Sequence, residues 1–505
     1  MSASLCIKIK KEDNVAVAIK DIKANSRVMD DIVTINDIPQ AHKIALCDIP
    51  KNGKIIRYGV VLGYAIDPIK KGDWINEKMI SLPIMPPIDK MVFGINTIKD
   101  LPNPPILTWE GYKNPNGGYG GTRNILGIST TVQCVTGVLN VAVKKMKREL
   151  LPKYPNIDDI VPINHAYGCG VAINAPEAKI PIRILQNLAK HPNFGGQLMV
   201  VGLGCEKFTV EMLCDKTDIT PDNIIILQDK KGFNEMIDAL MEMAEKKLNI
   251  LNKRKREILS LSDLLIGMQC GGSDAFSGIT ANPSAGYASD MLVKGGATVL
   301  FSEVTEVRDG IYLIGERCID KELGKKLATE MKWYDNYLEK GDVDRSANPT
   351  PGNKKGGLSN IIEKAMGSIA KSGTAPIVEV LSPGEIPSKK GLIFAATPAS
   401  DFVCGTCQLA SGIGLQVFIT GRGTPYGLAI APVIKVCSRN EMKEQWSDLI
   451  DVNAGSIATG DATIEEIGIL IFNEIIDVAS GKKKSFSEKY KLYNDLCIFN
   501  PAPIT

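Results

Sequence analysis

Five runs in the second half of the chain constrain its fold most strongly: LLIGMQ at 264–269, ATVLFSEV at 297–304, GLIFAA at 391–396, LQVFIT at 415–420 and PVIKV at 432–436. Each is short and almost continuously apolar. A strand without polar alternation must be covered on both faces, which a parallel sheet between helices achieves. A second series lies upstream: NILGIST at 124–130, DIVPIN at 159–164, QLMVVGLG at 197–204 and IIIL at 224–227. Helix-like runs follow two of these, one ending near Glu149 and one over 232–258. Strands alternating with helices predict a layered α/β architecture in both parts.

The start of the chain differs. VAVAI at 15–19, KIAL at 43–46, IIRYGVVLGYA at 55–65 and the segment around Trp74 are short strands between turns, as in a small all-β module. Six prolines over 83–108 (Pro83, Pro86, Pro87, Pro102, Pro104 and Pro105) then predict an extended linker. The 505 residues thus divide into a β module at 1–82, a linker at 83–108, a middle α/β domain at 109–258 and a C-terminal α/β domain at 259–505. No internal repeat of fixed period is visible.

In open parallel sheets, ligands bind beyond the carboxyl ends of the strands. Polar, glycine-flanked clusters fall there in this chain. Cys270-Gly271-Gly272-Ser273-Asp274 follows one strand; Glu303, Glu306, Arg308 and Asp309 follow the next. Asp401 and Cys404, then Arg422, follow two more. His165 with Cys169, and Cys205-Glu206-Lys207, follow strands of the middle domain. Carboxylates with one histidine and thiols suggest a divalent metal with mixed ligands. Arg308 and Arg422 are suited to gripping carboxylates, and Lys207 or His165 to acting as a base. The loop RSANPTPGNKKGG at 345–357 reads as a lid or anion-binding segment through Lys354 and Lys355. Removing a proton next to a carboxylate, with cations stabilising the charge, fits this set.

Other classes find less support. Lys plus Arg (59) and Asp plus Glu (57) nearly cancel, which gives a nucleic-acid partner no electrostatic basis. The basic run Lys253–Arg256 reads as a solvated helix face or a connector. No stretch is long and apolar enough for a membrane span, and the first residues lack the core of a signal peptide. Twelve cysteines then point to reduced thiols in a cytoplasm. Three histidines, His42, His165 and His191, are too few for a site built mainly of imidazoles. The CxxC at Cys404–Cys407 has no second CxxC to complete a zinc ribbon.

The segments HKIALCDIPKNGKIIRYGVVLGYA, YGCGVAINAPEA, HPNFGG, VGLGCEK, MQCGGSDAFSGITANP, FSEVTEVRD, DRSANPTPGNKKGGLSN, ATPASDFVCGT, TGRGTPYG and FNPAP resemble the altronate/galactarate dehydratase family. The resemblance covers essentially the whole chain. It implies a small β-clip (SAF-like) module, a middle domain and a C-terminal Rossmann-like domain with a mostly parallel sheet. It also implies an iron-dependent hydro-lyase. Its cofactor would be Fe2+, or Mn2+ or another divalent cation in its place. The substrate would be a small sugar diacid, galactarate, converted to 5-dehydro-4-deoxy-glucarate by a cytoplasmic homodimer. HPNFGG and FNPAP favour the galactarate over the altronate type. Cys407 departs from the family pattern, which speaks against an essential role for that thiol.

With the reaction so implied, roles follow as expectations. Asp274, Glu303, Asp309 and Cys270 would hold the metal, and Arg308 or Arg422 the distal carboxylate. His165 is the in-domain base candidate, and His42 a residue delivered from the β module. Two other classes remain open: an iron–sulfur dehydratase using Cys169, Cys205, Cys270 or Cys404, and a sugar-acid binding protein without catalysis.

Overall fold

The computed structural model describes residues 5–504 except 30, 86, 89, 90, 92 and 95–99. Part of the proline-rich stretch, Pro86 included, therefore lies outside the described residues.

The N-terminal module is all-β. Cys6–Ile7, Val15–Ala18, Lys43–Ala45 and Trp74–Ile75 form an antiparallel sheet, and Lys54–Arg57, Val60–Ala65 and Ile80–Ser81 a second. Alternate side chains fill two small apolar cores, one around Ile22, Ile38 and Ile44, the other around Ile49, Ile55 and Ile75.

The middle domain holds a four-stranded parallel sheet ordered Asp159–Ile163, Ile125–Thr130, Val200–Gly202, Ile224–Ile226. The helix expected over 232–258 stops at Leu251. Residues Glu257–Ser260 instead pair antiparallel with Thr108–Gly111. The basic run between them is a connector. Lys253 and Lys255 face solvent. Arg254 donates to Asn124 Oδ1 (2.9 Å) and Asn114 Oδ1 (2.8 Å), and Arg256 to the Glu110 (2.7 Å) and Thr122 (2.7 Å) carbonyls. Both guanidiniums lie over the Tyr112 ring. Carbonyls that no strand partner reaches are thereby satisfied.

The C-terminal domain is built on seven parallel strands: β1 (Leu265–Cys270), β2 (Thr298–Phe301), β3 (Ile377–Leu381), β4 (Leu392–Ala395), β5 (Leu415–Thr420), β6 (Val433–Cys437) and β7 (Val452–Asn453). Their order is β3-β4-β2-β1-β5-β6-β7. On one side of β1 the chain places β2, then the edge strand β3, and returns to insert β4 between them; it then crosses to build β5, β6 and β7 outward on the other side. β1 is thus the switch point, where loops diverge and leave a crevice at the carboxyl edge. Strands β1, β2, β4, β5 and β6 are buried along their whole length, as their unbroken apolar runs require. The multidomain α/β fold class expected from the sequence is the one observed.

One continuous core joins the two α/β domains: Ile184, Leu188 and Phe194 belong to the same cluster as Ile413, Leu415 and Phe418. Arg183 donates to the Pro383 carbonyl (2.6 Å) and His191 Nε2 to the Ile413 carbonyl (3.0 Å) across this boundary. The helix Lys179–Ala189 packs on α2 (Asp401–Ala410). The C-terminal tail returns over the same face. Cys497 N donates to Thr406 Oγ1 (3.0 Å), and Ala172 N to the Pro503 carbonyl (3.2 Å). Six residues of chain span at most about 20 Å, so the tail straps the helix Asp401–Ala410 of the C-terminal domain to the Val171–Ala172 loop of the middle domain.

Candidate functional site

At the carboxyl edge of β1, β2 and β4 lies a buried network of five ionisable groups. Glu303 follows β2 in a left-handed conformation (φ 78°), which costs an L-residue about 1–2 kcal/mol. Its N–H is held by Thr397 Oγ1 (3.2 Å). Its carboxylate meets Lys371 Nζ at 3.1 Å, and Oε1 has no hydrogen-bond partner among the described residues. Glu306 meets Lys364 Nζ at 2.7 Å and accepts from Ser368 Oγ at 3.3 Å. Lys364 and Ser368 lie on α1 (Ile361–Ile369), with Lys371 just beyond it. Asp401 opens α2.

Three carboxyl groups thus face two ammonium groups. The excess negative charge is relieved most cheaply by a proton on the most buried carboxyl. Burial first, then Glu306, pushes Glu303 up to about 8. Burial and Glu306 likewise push Asp401 up to about 6. Burial works against charge on Lys364 and Lys371, but the facing carboxylates outweigh it and hold both above the ordinary lysine value. Near neutral pH the network thus favours a proton on buried Glu303 over one on Asp401, which is partly exposed. Gly271 permits this crowding, because a Cβ there would lie 2.5 Å from Asp401 Oδ2 and 2.4 Å from the Phe418 ring.

Asp274 sits in the next loop. Its Oδ1 accepts from Ser277 N (2.9 Å), Ser277 Oγ (3.0 Å) and Ser438 Oγ (2.9 Å). Arg439 Nε lies 2.9 Å from Oδ2, an ion pair out of hydrogen-bonding alignment. Gly421 backs directly onto this carboxylate; a Cβ there would fall 2.2 Å from Cγ. Cys270 is buried, with Sγ 2.7 Å from Ser273 Oγ, and burial pushes its thiol up to about 12.

The β module and the 345–357 loop roof this edge. Lys43 and Arg57 both pair with Glu363 on α1, and all three are fully buried. Lys43 also donates to the Gly357 carbonyl (2.6 Å), Arg57 to the Ala275 carbonyl (2.8 Å), and Asn353 Nδ2 to the Ser273 carbonyl (2.8 Å). The 345–357 segment is therefore clamped between module and sheet. Lys355 and Arg422 are exposed and Lys354 is half-buried, with no side-chain partner for any of them among the described residues.

The residues expected from the sequence are distributed as follows. His42 is in the roof; its Nδ1 accepts from Trp74 Nε1 (3.1 Å), so Nε2–H points to the Lys355 carbonyl (3.3 Å). Burial, then Lys43, holds its pKa down. Arg308 is buried and bound to Asp335 (2.8 Å), which leaves Arg422 as the cation open to a ligand. Asp309 is taken by Arg345 Nε (2.7 and 3.0 Å to its two oxygens). The structure does not bring Asp274, Glu303, Asp309 and Cys270 together as ligands of one ion: each faces a cation or hydroxyl partner. Among the described residues no three His, Cys, Asp or Glu side chains converge on one metal.

His165, Lys207, Cys169 and Cys205 stand at the other edge, in the middle domain. His165 Nε2 donates to the Thr130 carbonyl (2.9 Å), and Nδ1 accepts from Tyr167 N (3.2 Å). With both ring nitrogens occupied and burial lowering its pKa, it is a neutral staple between loops. Lys207 is exposed and reaches the Val171 carbonyl (3.4 Å). A cavity of about 370 Å³ lined by Val171–Ala175 and Lys207 opens here, and one of about 630 Å³ is lined by Gly204 and Glu206 of the Cys205 loop with Ile226 and Gln228. Sequence reasoning missed Lys43, Arg57, Glu363, Lys364 and Lys371, whose partners lie far away in the chain. Asp401 was visible as an after-strand carboxylate.

Two α/β domains that share one core, with a buried ionisable network at the carboxyl edge of the C-terminal sheet roofed by a β module, define an enzyme-like architecture for a small polar substrate. Residues 4–83 match the altronate/galactarate dehydratase SAF domain, 111–252 the second domain of D-galactarate dehydratase/altronate hydrolase, and 261–504 the D-galactarate/altronate dehydratase C-terminal domain. The chain is 57% identical to galactarate dehydratase (L-threo-forming) of Escherichia coli K12, over 99% of this chain and 97% of that one. It is 33% identical to altronate dehydratase of Bacillus subtilis 168, over 94% and 95%. A more distant relative, at 27% over 74% and 93%, is the β subunit of (2R)-sulfolactate sulfo-lyase of Chromohalobacter salexigens. The chain belongs to the D-galactarate/altronate dehydratase family.

Proposed function

We propose that this chain removes one molecule of water from galactarate, forming 5-dehydro-4-deoxy-glucarate. The single observation that carries the substrate is the 57% identity to a galactarate dehydratase along 99% of the chain, against 33% and 32% to two altronate dehydratases. The site chemistry is of the required kind. Loss of water from a β-hydroxy acid needs a base for the α-proton, an acid for the departing hydroxyl and cations for the carboxylates. Asp401, ionised above about pH 6, is the base, and the protonated Glu303 beside it is the acid. Arg422, Lys354 and Lys355 hold the two carboxylates of the diacid. His42 positions the roof through Trp74 and the Lys355 carbonyl.

A requirement for iron is part of this proposal; among the described residues no three His, Cys, Asp or Glu side chains already converge to seat it, and no step is routed through it. The reading extends to a cytoplasmic homodimer. Twelve unpaired thiols suit a reducing compartment, and among the described residues no helix is long and apolar enough to cross a membrane. Sedimentation at twice the 54.6 kDa chain mass would support the dimer. The substrate is tested by offering galactarate, altronate and glucarate to reduced, iron-supplied protein and reading 2-keto acid formation. Preference for galactarate in kcat/KM is expected; preference for altronate would move the chain to the other branch of the family.

A further inference from the structure

The cysteines of this chain fall into two populations. Cys270, Cys404 and Cys407 are buried around the C-terminal sheet, and burial drives their thiols up, to about 12 for Cys270 and Cys407. Such thiols are inert fillers. Of the five exposed cysteines, three stand at the same edge of one sheet: Cys134, Cys169 and Cys205. Each lies a few residues beyond the carboxyl end of one of three adjacent parallel strands, Ile125–Thr130, Asp159–Ile163 and Val200–Gly202.

Their loops are fastened to one another. The Gly168 carbonyl accepts from Lys207 N (3.0 Å) and Phe208 N (3.3 Å), which joins the Cys169 loop to the Cys205 loop. Gly168 (φ 110°) lies so close to the third loop that a Cβ would meet the Thr131 carbonyl oxygen at 2.1 Å. Glu206 accepts from Thr131 Oγ1 and from the Leu203 (3.0 Å) and Gly204 (2.6 Å) amides, pinning the Cys205 loop beside the strand that leads to Cys134. His165 staples the Cys169 loop to the Thr130 carbonyl. An imidazole and a carboxylate are thus spent on bringing three loops together. Yet none of the three thiols has a hydrogen-bond partner among the described residues. The cavity of about 370 Å³ is lined by Val171–Ala175 and Lys207; Val171 and Lys207 stand two residues along the chain from Cys169 and Cys205.

A single ion would need its donors about 2.0–2.3 Å from one point, and no such convergence exists among the described residues. An iron–sulfur cubane bridges thiolates spread over a wider triangle, and three cysteines leave one of its irons without a protein ligand. We infer that Cys134, Cys169 and Cys205 are the thiolate ligands of a 4Fe–4S cluster, whose unligated iron faces the Lys207 cavity and takes an oxygen of a hydroxy acid. On binding, each thiol gives up its proton and forms one Fe–S bond to a cluster supplied preformed or assembled from iron and sulfide. The bound group would supply a Lewis-acid iron for a hydroxyl or carboxylate oxygen. The purpose of the cluster rests on the proposed dehydration; its existence does not.

The test uses full-length protein purified without oxygen and reconstituted with iron and sulfide. The inference expects a brown chromophore, about four irons and four acid-labile sulfides per chain, and a cluster signal in electron paramagnetic resonance after reduction. Cys134→Ser, Cys169→Ser and Cys205→Ser should each lose most of the sulfide and the signal, while circular dichroism stays unchanged. Cys47→Ser and Cys497→Ser, the other exposed thiols, should keep both. Iron without sulfide in the wild type would overturn the inference. So would retention of the full signal in the Cys134/Cys169/Cys205 triple serine variant, or equal loss in the Cys47 and Cys497 variants. A cluster present in protein inert toward galactarate would sink the substrate reading alone.

Discussion

Glu363 is the sharpest place to perturb the fold. It is fully buried between Lys43 and Arg57, cations that arrive from the β module more than 300 residues away in sequence. Burial alone would raise its pKa, but the two cations outweigh burial and hold the carboxyl at about 2, against an ordinary 4.5. That gap corresponds to about 3 kcal/mol. Breaking a buried pair from one side costs about 3–5 kcal/mol, because uncompensated charge stays behind. The two routes agree on Glu363→Gln losing roughly 3–5 kcal/mol of module docking. Lys43 and Arg57 would keep only their bonds to the Gly357 and Ala275 carbonyls. The folded pKa is depressed, so this stability is present above about pH 4.5 and fades as pH falls through about 2. A multidomain chain does not melt in one step, so amide hydrogen exchange is the assay. Residues 5–82 and 345–369 should exchange faster by two orders of magnitude or more at pH 7, while β5 and β6 stay protected. Apolar replacement of the whole trio, Lys43→Met with Arg57→Met and Glu363→Leu, should recover most of the loss. Unaltered exchange in Glu363→Gln, or a trio variant as loose as the single one, would refute the reasoning.

Further expectations concern the site. Asp401→Asn should lower kcat for galactarate by two orders of magnitude or more. In the wild type kcat/KM should rise with pH through about 6 as Asp401 ionises; a profile unchanged by Asp401→Asn would remove the base assignment. Arg422→Ala should raise KM for the diacid about 10–100-fold, with a smaller effect on kcat, as loss of a charged hydrogen bond of about 1.5–3 kcal/mol implies; equal KM values would place the carboxylate elsewhere. His165→Ala should loosen the middle domain and lower retained iron, read by thermal melting and metal content, because its ring staples the Cys169 loop. Cys407→Ala should keep turnover and lose only about 1–2 kcal/mol of stability, and a collapse of activity would contradict its reading as filler.

The strands that carry the site were legible because burial on both faces leaves an unbroken apolar run, and the polar clusters after β1, β2, β4 and β5 announced the carboxyl edge. The edge strands were not. β3 carries Glu379 in its middle, and β7 is only two residues long. The helix expected through 258 ran past its end because Lys253–Arg256 fits a helical pattern. Only the structure shows Arg254 and Arg256 turned inward to carbonyls from 110, 122 and 479. The ion pairs of Glu363 and Glu303 join residues from separate domains or elements, and no local pattern encodes such partners. Cys134 carried a positional signal, four residues past a strand end as Cys169 and Cys205 lie just past theirs. It stood outside a glycine-flanked cluster and drew no notice.

The central claim is dehydration of galactarate, and the product formed in D2O tests it most directly. Abstraction of the α-proton, loss of the β-hydroxyl and ketonisation of the enol should leave one deuterium on a new methylene carbon beside a ketone. The proton spectrum should show that single labelled methylene, and the mass should fall by one water less the one mass unit that the retained deuterium adds. Return of unchanged galactarate from reduced, cofactor-replete protein, or a product that has kept all its hydroxyls, would contradict the account.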